Sequence, residues 1–247
     1  MKALILAAGY ATRLYPLTKE YPKPLLVVEN RPIINYIIDK LNKIDGIDEI
    51  IIVTNDKFIS YFKKWAKGID IAKTITLAND LTKNHSDKLG AIGDMDFVID
   101  KEKINDDLLV VGGDNLFDSE LDNFLRFVKR VGQSPVIGVY DIKDKTAAKK
   151  YGIVETDPRK VIVNFEEKPE NPRSTLAAMC VYYFPKSTLG FIKDYLWSKH
   201  DKRDATGFYI DWLRRKTTVY AFRFGGRWYD IGDHHFYDQA KKKFAKH

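Results

Sequence analysis

Apolar positions along the chain fall into two alternating patterns. Residues 3–8 form a continuous apolar run stopped by Gly9, as in a parallel strand buried on both faces. Pro32 then opens a stretch in which Ile33, Ile34, Ile37, Ile38, Leu41 and Ile44 share one face at helical spacing. Residues 49–53 predict a second strand, closed by Thr54 and Asn55, followed by a helix over 57–67 and a short strand over 73–77. Residues 89–99 mix both periods and are assigned to a helix. Residues 108–111 predict a buried strand ending on Gly112, Gly113, Asp114 and Asn115. Ser119 is placed as the cap of a helix through Arg130, with Leu121, Phe124, Leu125 and Val128 inward, and residues 135–140 predict the next strand.

This strand–helix–strand order predicts an α/β fold, a Rossmann-like doubly wound mixed sheet. Ligands of such sheets sit beyond the carboxyl ends of the strands, so the loops after the first and fourth strands are where chemistry is expected. The rest of the chain changes style. Residues 152–156 and 160–166 flank Asp157, Pro158 and Arg159 as a hairpin, and 176–184 predict a long strand. Pro185 opens a helix to about Trp197; a helix near 208–214, a strand over 217–224 and a terminal helix from Asp233 follow. No linker or repeat interrupts this order, so residues 1–247 read as one continuous unit with an inserted β-rich region.

At 45% hydrophobic and 30% charged, the 247 residues are too apolar for a disordered chain and sufficient for a core. No apolar run approaches the ~20 residues that cross a bilayer, and no secretory leader is visible. No membrane association is expected, and the single cysteine fits a cytoplasmic setting. That residue, Cys180, excludes an internal disulfide and a Cys-cluster metal site, and its apolar surroundings read as core. His234 and His235 are adjacent rather than at i, i+4, so no histidine zinc motif is present. The net charge of +7 permits an anionic partner. The one basic run, 241–243, reads as a solvated helix face, so nucleic acid is not expected.

Four segments carry candidate chemistry. Leu6, Ala7, Ala8, Gly9, Tyr10, Ala11, Thr12 and Arg13 make a strand entering a small-residue loop, with Lys23 following in Pro22-Lys23-Pro24. Small residues let backbone N–H groups approach a phosphate chain, and Arg13 and Lys23 add full positive charge. The loop is neither a Walker A nor a Gly-x-Gly-x-x-Gly motif, and on its own also fits a tight turn with surface cations. Gly113-Asp114-Asn115 sets a carboxylate facing the same cleft, and Mg²⁺ takes one or two carboxylates with phosphate oxygens. Trp228-Tyr229-Asp230-Ile231-Gly232 adds a second acid after an aromatic pair. Tyr151-Gly152 and Phe165-Glu166-Glu167-Lys168-Pro169 bracket the hairpin.

Taken together and in order along nearly the whole chain, these segments resemble the sugar-1-phosphate nucleotidyltransferases, in the glucose-1-phosphate thymidylyltransferase and uridylyltransferase branch. The resemblance implies that Leu6, Ala8, Gly9, Tyr10, Ala11 and Thr12, with Asn79, Leu89 and Gly90, bind the nucleotide. It implies catalytic roles for Arg13, Lys23 and Lys168, and Mg²⁺ held by Asp114 and Asp230. Tyr151, Gly152, Glu167 and Ala178 would line the sugar side. The implied reaction forms an NDP-sugar and pyrophosphate from a nucleoside triphosphate, dTTP or UTP favoured, and a hexose 1-phosphate. Residues 1–140 would be the nucleotide-binding half and 141–247 the sugar-phosphate-binding half; enzymes of the family are commonly oligomers, which leaves a homo-oligomer open. No hexapeptide repeat follows Asp230, so a catalytic domain alone is expected. The alternatives are a CTP-dependent cytidylyltransferase acting on an alcohol phosphate such as phosphocholine, and a non-catalytic nucleotide-sugar sensor.

The chain departs from the family pattern in three places. Ala11 replaces a glycine, and its Cβ disfavours positive φ. The Gly-Leu-Ala-Gln-Ala of thymidylyltransferases is replaced by residues 87–94, DKLGAIGD, without a glutamine; Asn79, Asn84 or backbone near Leu89 could stand in. Ala178, Met179 and Cys180 stand where the family tends to have Val, Thr and Gly.

Overall fold

The computed structural model describes residues 1–198, 202 and 204–244. Strand β1 (Lys2–Leu6) runs into the first loop, and a small hairpin of β2 (Val27–Val28) and β3 (Arg31–Pro32) leads to helix α1 (Ile33–Asn42). Next come β4 (Glu49–Thr54), α2 (Ile59–Ala66), β5 (Thr74–Asn79) and α3 (Gly90–Lys101). They are followed by β6 (Leu108–Gly112), β7 (Asn115–Phe117), α4 (Asp122–Val131), β8 (Val136–Asp141) and the single turn α5 (Lys145–Ala148). The remaining strands are β9 (Gly152–Thr156), β10 (Ile162–Glu167), β11 (Leu176–Phe184), β12 (Tyr220–Phe224) and β13 (Trp228–Asp230). The remaining helices are α6 (Gly190–Ser198), α7 (Thr206–Leu213) and α8 (His234–Lys243).

The main sheet has nine strands among the described residues, in the order β10-β9-β11-β6-β1-β4-β5, with β8 paired to β11 and β12 to β8. β5, β4, β1 and β6 are mutually parallel, and β11 lies antiparallel to β6. The sheet is therefore doubly wound and mixed, as expected from the sequence. The chain winds from β1 toward β4 and β5 on one side and returns to β6 on the other. The loops after β1 and β6 consequently diverge and leave a crevice between them. The two strands end in register, Leu6 opposite Gly112.

Side-chain alternation divides the core into two layers. Ala3 and Ile5 of β1 pack with Ile34, Ile37 and Leu41 of α1, Phe62 of α2 and Phe124 of α4. Leu4 points to the other face, with Ile92, Met95 and Val98 of α3, Ile192 of α6 and Tyr209 of α7. Residues 1–140 alone do not cover this second face, since α6 and α7 come from the later part of the chain. No helix among the described residues is long and apolar enough to cross a membrane.

Several boundaries differ from the sequence expectation. α4 begins at Asp122, because the Ser119 hydroxyl donates to the Gly225 carbonyl (2.7 Å) instead of capping the helix. Pro185 opens a 3-10 turn (Lys186–Thr188) before α6. β5 extends to Asn79 because its pairing with β4 continues to Thr54. β12 starts only at Tyr220, since the Lys216 and Thr217 N–H groups are taken by the Leu213 carbonyl at the end of α7 (2.8 and 2.9 Å).

Candidate active site

The first loop is pinned from the neighbouring strand. The Ala7 N–H donates to the Val53 carbonyl, and Asn55 Nδ2 to the Ala8 carbonyl, both at 2.9 Å. A Cβ on Gly9 would meet nothing within 4 Å, so its backbone faces open space. Ala11 adopts φ 47° and ψ 44° despite its methyl group. Its carbonyl accepts from Thr18 Oγ1 (2.7 Å) and the Leu14 N–H (2.9 Å), which hold the turn against the left-handed cost of about 1–2 kcal/mol. A 3-10 turn, Thr12–Leu14, then buries Leu14 as an anchor and leaves Arg13 exposed at the cleft.

At the end of β6, only glycine fits position 113, where a Cβ would lie 2.8 Å from the Leu6 carbonyl oxygen. Asp114 emerges directly after it. β13 pairs antiparallel with β7, Asp230 opposite Asn115, which brings the second acid beside the first. Asn115 is buried and fully used: Nδ2 donates to the carbonyls of Met179 and Cys180, and Oδ1 accepts from Trp228 Nε1 (2.8 Å). Lys23, at the start of the 3-10 turn Lys23–Leu25, forms an ion pair with Asp114 and donates to the Ile231 carbonyl (2.7 Å).

Burial and the adjacent Asp114 push the Asp230 carboxyl up to about 6, against the opposing pull of Lys23, Arg13 and Lys168. A buried carboxyl raised by the charge of a neighbouring acid is what a divalent cation relieves. No cluster of three or more metal-ligating side chains occurs among the described residues. Asp114 and Asp230 therefore fit Mg²⁺, which needs few protein ligands and completes its shell with phosphate oxygens and water.

The opposite wall comes from the hairpin and α7. Lys168 sits just beyond β10 at φ 49°, its N–H bonded to the Tyr151 carbonyl (3.0 Å) and its Nζ 3.8 Å from Glu167 Oε1. Burial raises the Glu167 carboxyl above its ordinary value, and Lys168 partly offsets this. The carboxylate is seated over two glycines: a Cβ at Gly207 would lie 2.1 Å from Glu167 Oε2, and one at Gly152 3.0 Å from it. Tyr182 and Thr206 share a hydroxyl–hydroxyl bond (2.9 Å) next to this seat. Cys180 is not simple core filler. It occupies a bulge in β11 at φ 52° and lines the cleft beside Ala178 and Met179, its Cβ backing onto the end of β6. Burial pushes its thiol up to about 12, so it stays protonated and is no nucleophile.

A cleft of about 840 Å³ joins these walls. It is lined by Leu6, Ala8, Gly9, Tyr10, Ala11, Thr12, Arg13 and Lys23 from one side. Gly90, Asp114, Tyr151, Gly152, Glu167, Lys168, Ala178 and Asp230 line the rest. Asn79 and Leu89 do not reach it. The Asn79 amide is engaged with Asp56 Oδ1 (2.8 Å) and the Leu81 N–H (2.9 Å). Leu89 precedes α3 and lines an outer groove with Gly93, Phe97 and Leu196. Asn84 is closed into a turn with Ser86 and Asp87. No carboxamide of this segment therefore serves the cleft.

Asp80 and Asp94 line it instead, with His85, Lys88 and Asp204 above them. The sequence marked out residues 87–94, which hold Lys88 and Asp94, but assigned none of the five to the site. The available signal was Asp94, one helical turn after Gly90 and between the inward Ile92 and Met95, where an acid breaks the apolar pattern. Lys88 bridges to Asp204 at 2.6 Å and so ties the segment before α3 to the start of α7.

The profile of the nucleotidyl transferase family matches residues 2–247. The chain belongs to that family. The bifunctional protein GlmU of Methanocaldococcus jannaschii is 29% identical over 94% of this chain and 51% of its own length. A bifunctional sugar-1-phosphate nucleotidylyltransferase/acetyltransferase of Sulfurisphaera tokodaii is 28% identical over 94% of this chain and 52% of its own. The chain thus spans about half the length of these relatives. The fold matches that of a UDP-glucose pyrophosphorylase complexed with UDP-glucose, with a TM-score of 0.83, 19% identity, and 99% and 98% of the two chains covered. The resemblance read from the motifs is borne out at the level of family and fold.

Proposed function

We propose that the chain is a Mg²⁺-dependent nucleotidyltransferase that joins a nucleoside triphosphate to a hexose 1-phosphate and releases pyrophosphate. The carrying observation is that Asp230 feels Asp114, Lys23, Arg13 and Lys168 together. Four sequence-distant segments thereby set three cations around one pair of acids. Two polyanions must meet in this reaction, and such an arrangement cancels their repulsion.

The N–H groups of the first loop and Arg13 hold the β- and γ-phosphates, and Lys23 sits at the α-phosphorus. Lys168 holds the phosphate of the sugar phosphate in line for attack, and Glu167 accepts from the sugar hydroxyls. Asp114 and Asp230 would hold Mg²⁺, which would supply charge neutralisation for the phosphates. The attacking phosphate oxygen is already anionic near neutral pH, since a phosphomonoester's second pKa is about 6, and no general base is required. The bond from phosphate oxygen to α-phosphorus forms as the α–β phosphoanhydride breaks, and pyrophosphate carries away the electron pair. Positioning and fixed charge carry the rate.

We infer that residues 1–247 act as one unit, 1–140 holding the nucleotide and 141–247 the sugar phosphate. The buried seat of Glu167 over Gly152 and Gly207 favours a sugar over a simple alcohol phosphate. Base choice belongs to the far end of the cleft, where Asp80 and Asp94 stand in place of the carboxamide expected for dTTP or UTP. The experiment is pyrophosphate release with Mg²⁺ across a grid of nucleoside triphosphates and sugar 1-phosphates. Release with one sugar 1-phosphate is the expected outcome. Silence across the grid, from a protein that still binds a nucleotide, would move the reading to an alcohol-phosphate acceptor or a sensor.

A further inference from the structure

Asp80 and Asp94 are each 6% exposed and stand together at one end of the cleft, where both line its wall. Asp80 is held by its neighbours. Its Oδ1 accepts from both the N–H and the hydroxyl of Thr82 at 2.8 Å, and that hydroxyl lies 3.2 Å from the Tyr10 hydroxyl of the first loop. The two oxygens sealed from solvent without a protein donor are Asp80 Oδ2 and Asp94 Oδ1. Two neighbouring carboxylates sealed from water are relieved when one of them takes up a proton. Burial and Asp80 push Asp94 up to about 8, in keeping with one proton on the pair near neutral pH. The pair then carries a single negative charge. Asp94 Oδ2 is not sealed off in the same way, and Asp94 lines the cleft next to Gly90 and Ala91 of the first turn of α3.

We propose that Asp94, positioned by Asp80, selects a nucleotide whose base carries an exocyclic amine, over uracil and thymine. This selection presupposes the nucleotide site proposed above. With its Oδ1 sealed from solvent, Asp94 offers the cleft an acceptor on an anionic pair, and the first-turn N–H groups of α3 offer donors. An amine presents N–H to a carboxylate, the pairing by which acidic side chains read cytosine N4. Uracil and thymine present one N–H flanked by two carbonyl oxygens, both of which the negative pair repels. The neighbouring cation does not reverse this field, because Lys88 is paired with Asp204 and the latter adds further negative charge toward Asp94. Asp80 is a positioning residue. Its bond through Thr82 to Tyr10 links the base wall to the phosphate loop, so base and phosphates are held by one connected structure.

The test measures Kd by calorimetry for CTP, ATP, GTP, UTP and dTTP with Mg²⁺, on the full chain, alongside pyrophosphate release. The best amine-bearing nucleotide should bind at least about tenfold tighter than UTP or dTTP, the scale of one well-placed base contact. Asp94→Ala should shrink that ratio to less than about threefold. Equal affinities, or a preference for UTP or dTTP, overturn the proposal from the wild type alone, whether or not the variant folds. An unchanged ratio in a folded Asp94→Ala variant also overturns it. The expected ratio without pyrophosphate from any sugar 1-phosphate would keep the base selection and remove the transfer reading. No nucleotide binding would remove both.

Discussion

At the scale of single residues, Ala11 shows how a loop tolerates a substitution its backbone resists. The left-handed turn persists because Thr18 and Leu14 both donate to its carbonyl. Ala11→Gly removes the Cβ penalty while adding freedom to the unfolded chain, so stability should hold or rise by up to about 1 kcal/mol in urea denaturation. The same change in an ordinary helical position lowers stability, so a loss here would show that the methyl packs usefully. Asp114 carries the opposite expectation, a large effect on activity and little on folding. Asp114→Asn should lower kcat by about 10²- to 10³-fold, the usual cost of removing one preorganised charged contact, with a melting temperature close to wild type. Near-normal turnover in that variant would remove Asp114 from the metal site. Both positions were legible in the sequence, since each lies in a short contiguous motif. The buried pair of Asp80 and Asp94 was not, because one follows β5, the other lies in α3, and only the fold brings them to one wall of the cleft.

At the scale of elements, the cleft wall proposed to hold the sugar depends on a helix meeting a hairpin. α7 passes so close to β10 that Glu167 Oε2 occupies the place of a side chain at Gly207. Gly207→Ala must displace that carboxylate. Steady-state kinetics should show KM for the sugar 1-phosphate rising about tenfold or more, with KM for the nucleotide little changed. Equal effects on both substrates would point to general misfolding of the helix rather than to Glu167. The bulge in β11 works in the same way, for Asn115 gathers the carbonyls of Met179 and Cys180 and the indole of Trp228. Strand and helix types follow from periodicity, and the hairpin around Asp157-Pro158-Arg159 was readable for that reason. Helix starts were less so: Ser119 looks like a cap, but its hydroxyl is engaged by a segment more than a hundred residues away.

At the scale of the whole molecule, the buried acid pair couples the cleft to global stability. Asp94 rises from its ordinary 3.8 to about 8 on folding. Between these values the folded chain keeps a proton that the unfolded chain has released. Stability therefore falls as pH rises from about 4 to about 8, and no further through this group above that. The charged groups facing it are Asp80 and Asp204, with Lys88 paired to Asp204. Asp94→Asn should flatten the fall in unfolding free energy across the window, measured by urea titration at several pH values. A slope identical to wild type would mean that Asp94 is ionised in the folded protein.

Taken alone, the sequence determined the strand and helix order, the mixed doubly wound sheet, the family and the ionic residues of the cleft. These are recorded in local periodicity and in motifs whose residues are neighbours along the chain. Tertiary structure decided which residues line the cleft, and it turned Asn79 and Leu89 away while bringing Asp80 and Asp94 in. It also made Asp230 a partner of Asp114 through the pairing of β13 with β7. Those outcomes depend on burial and on charges brought together from separate segments, and neither quantity exists until the chain has folded.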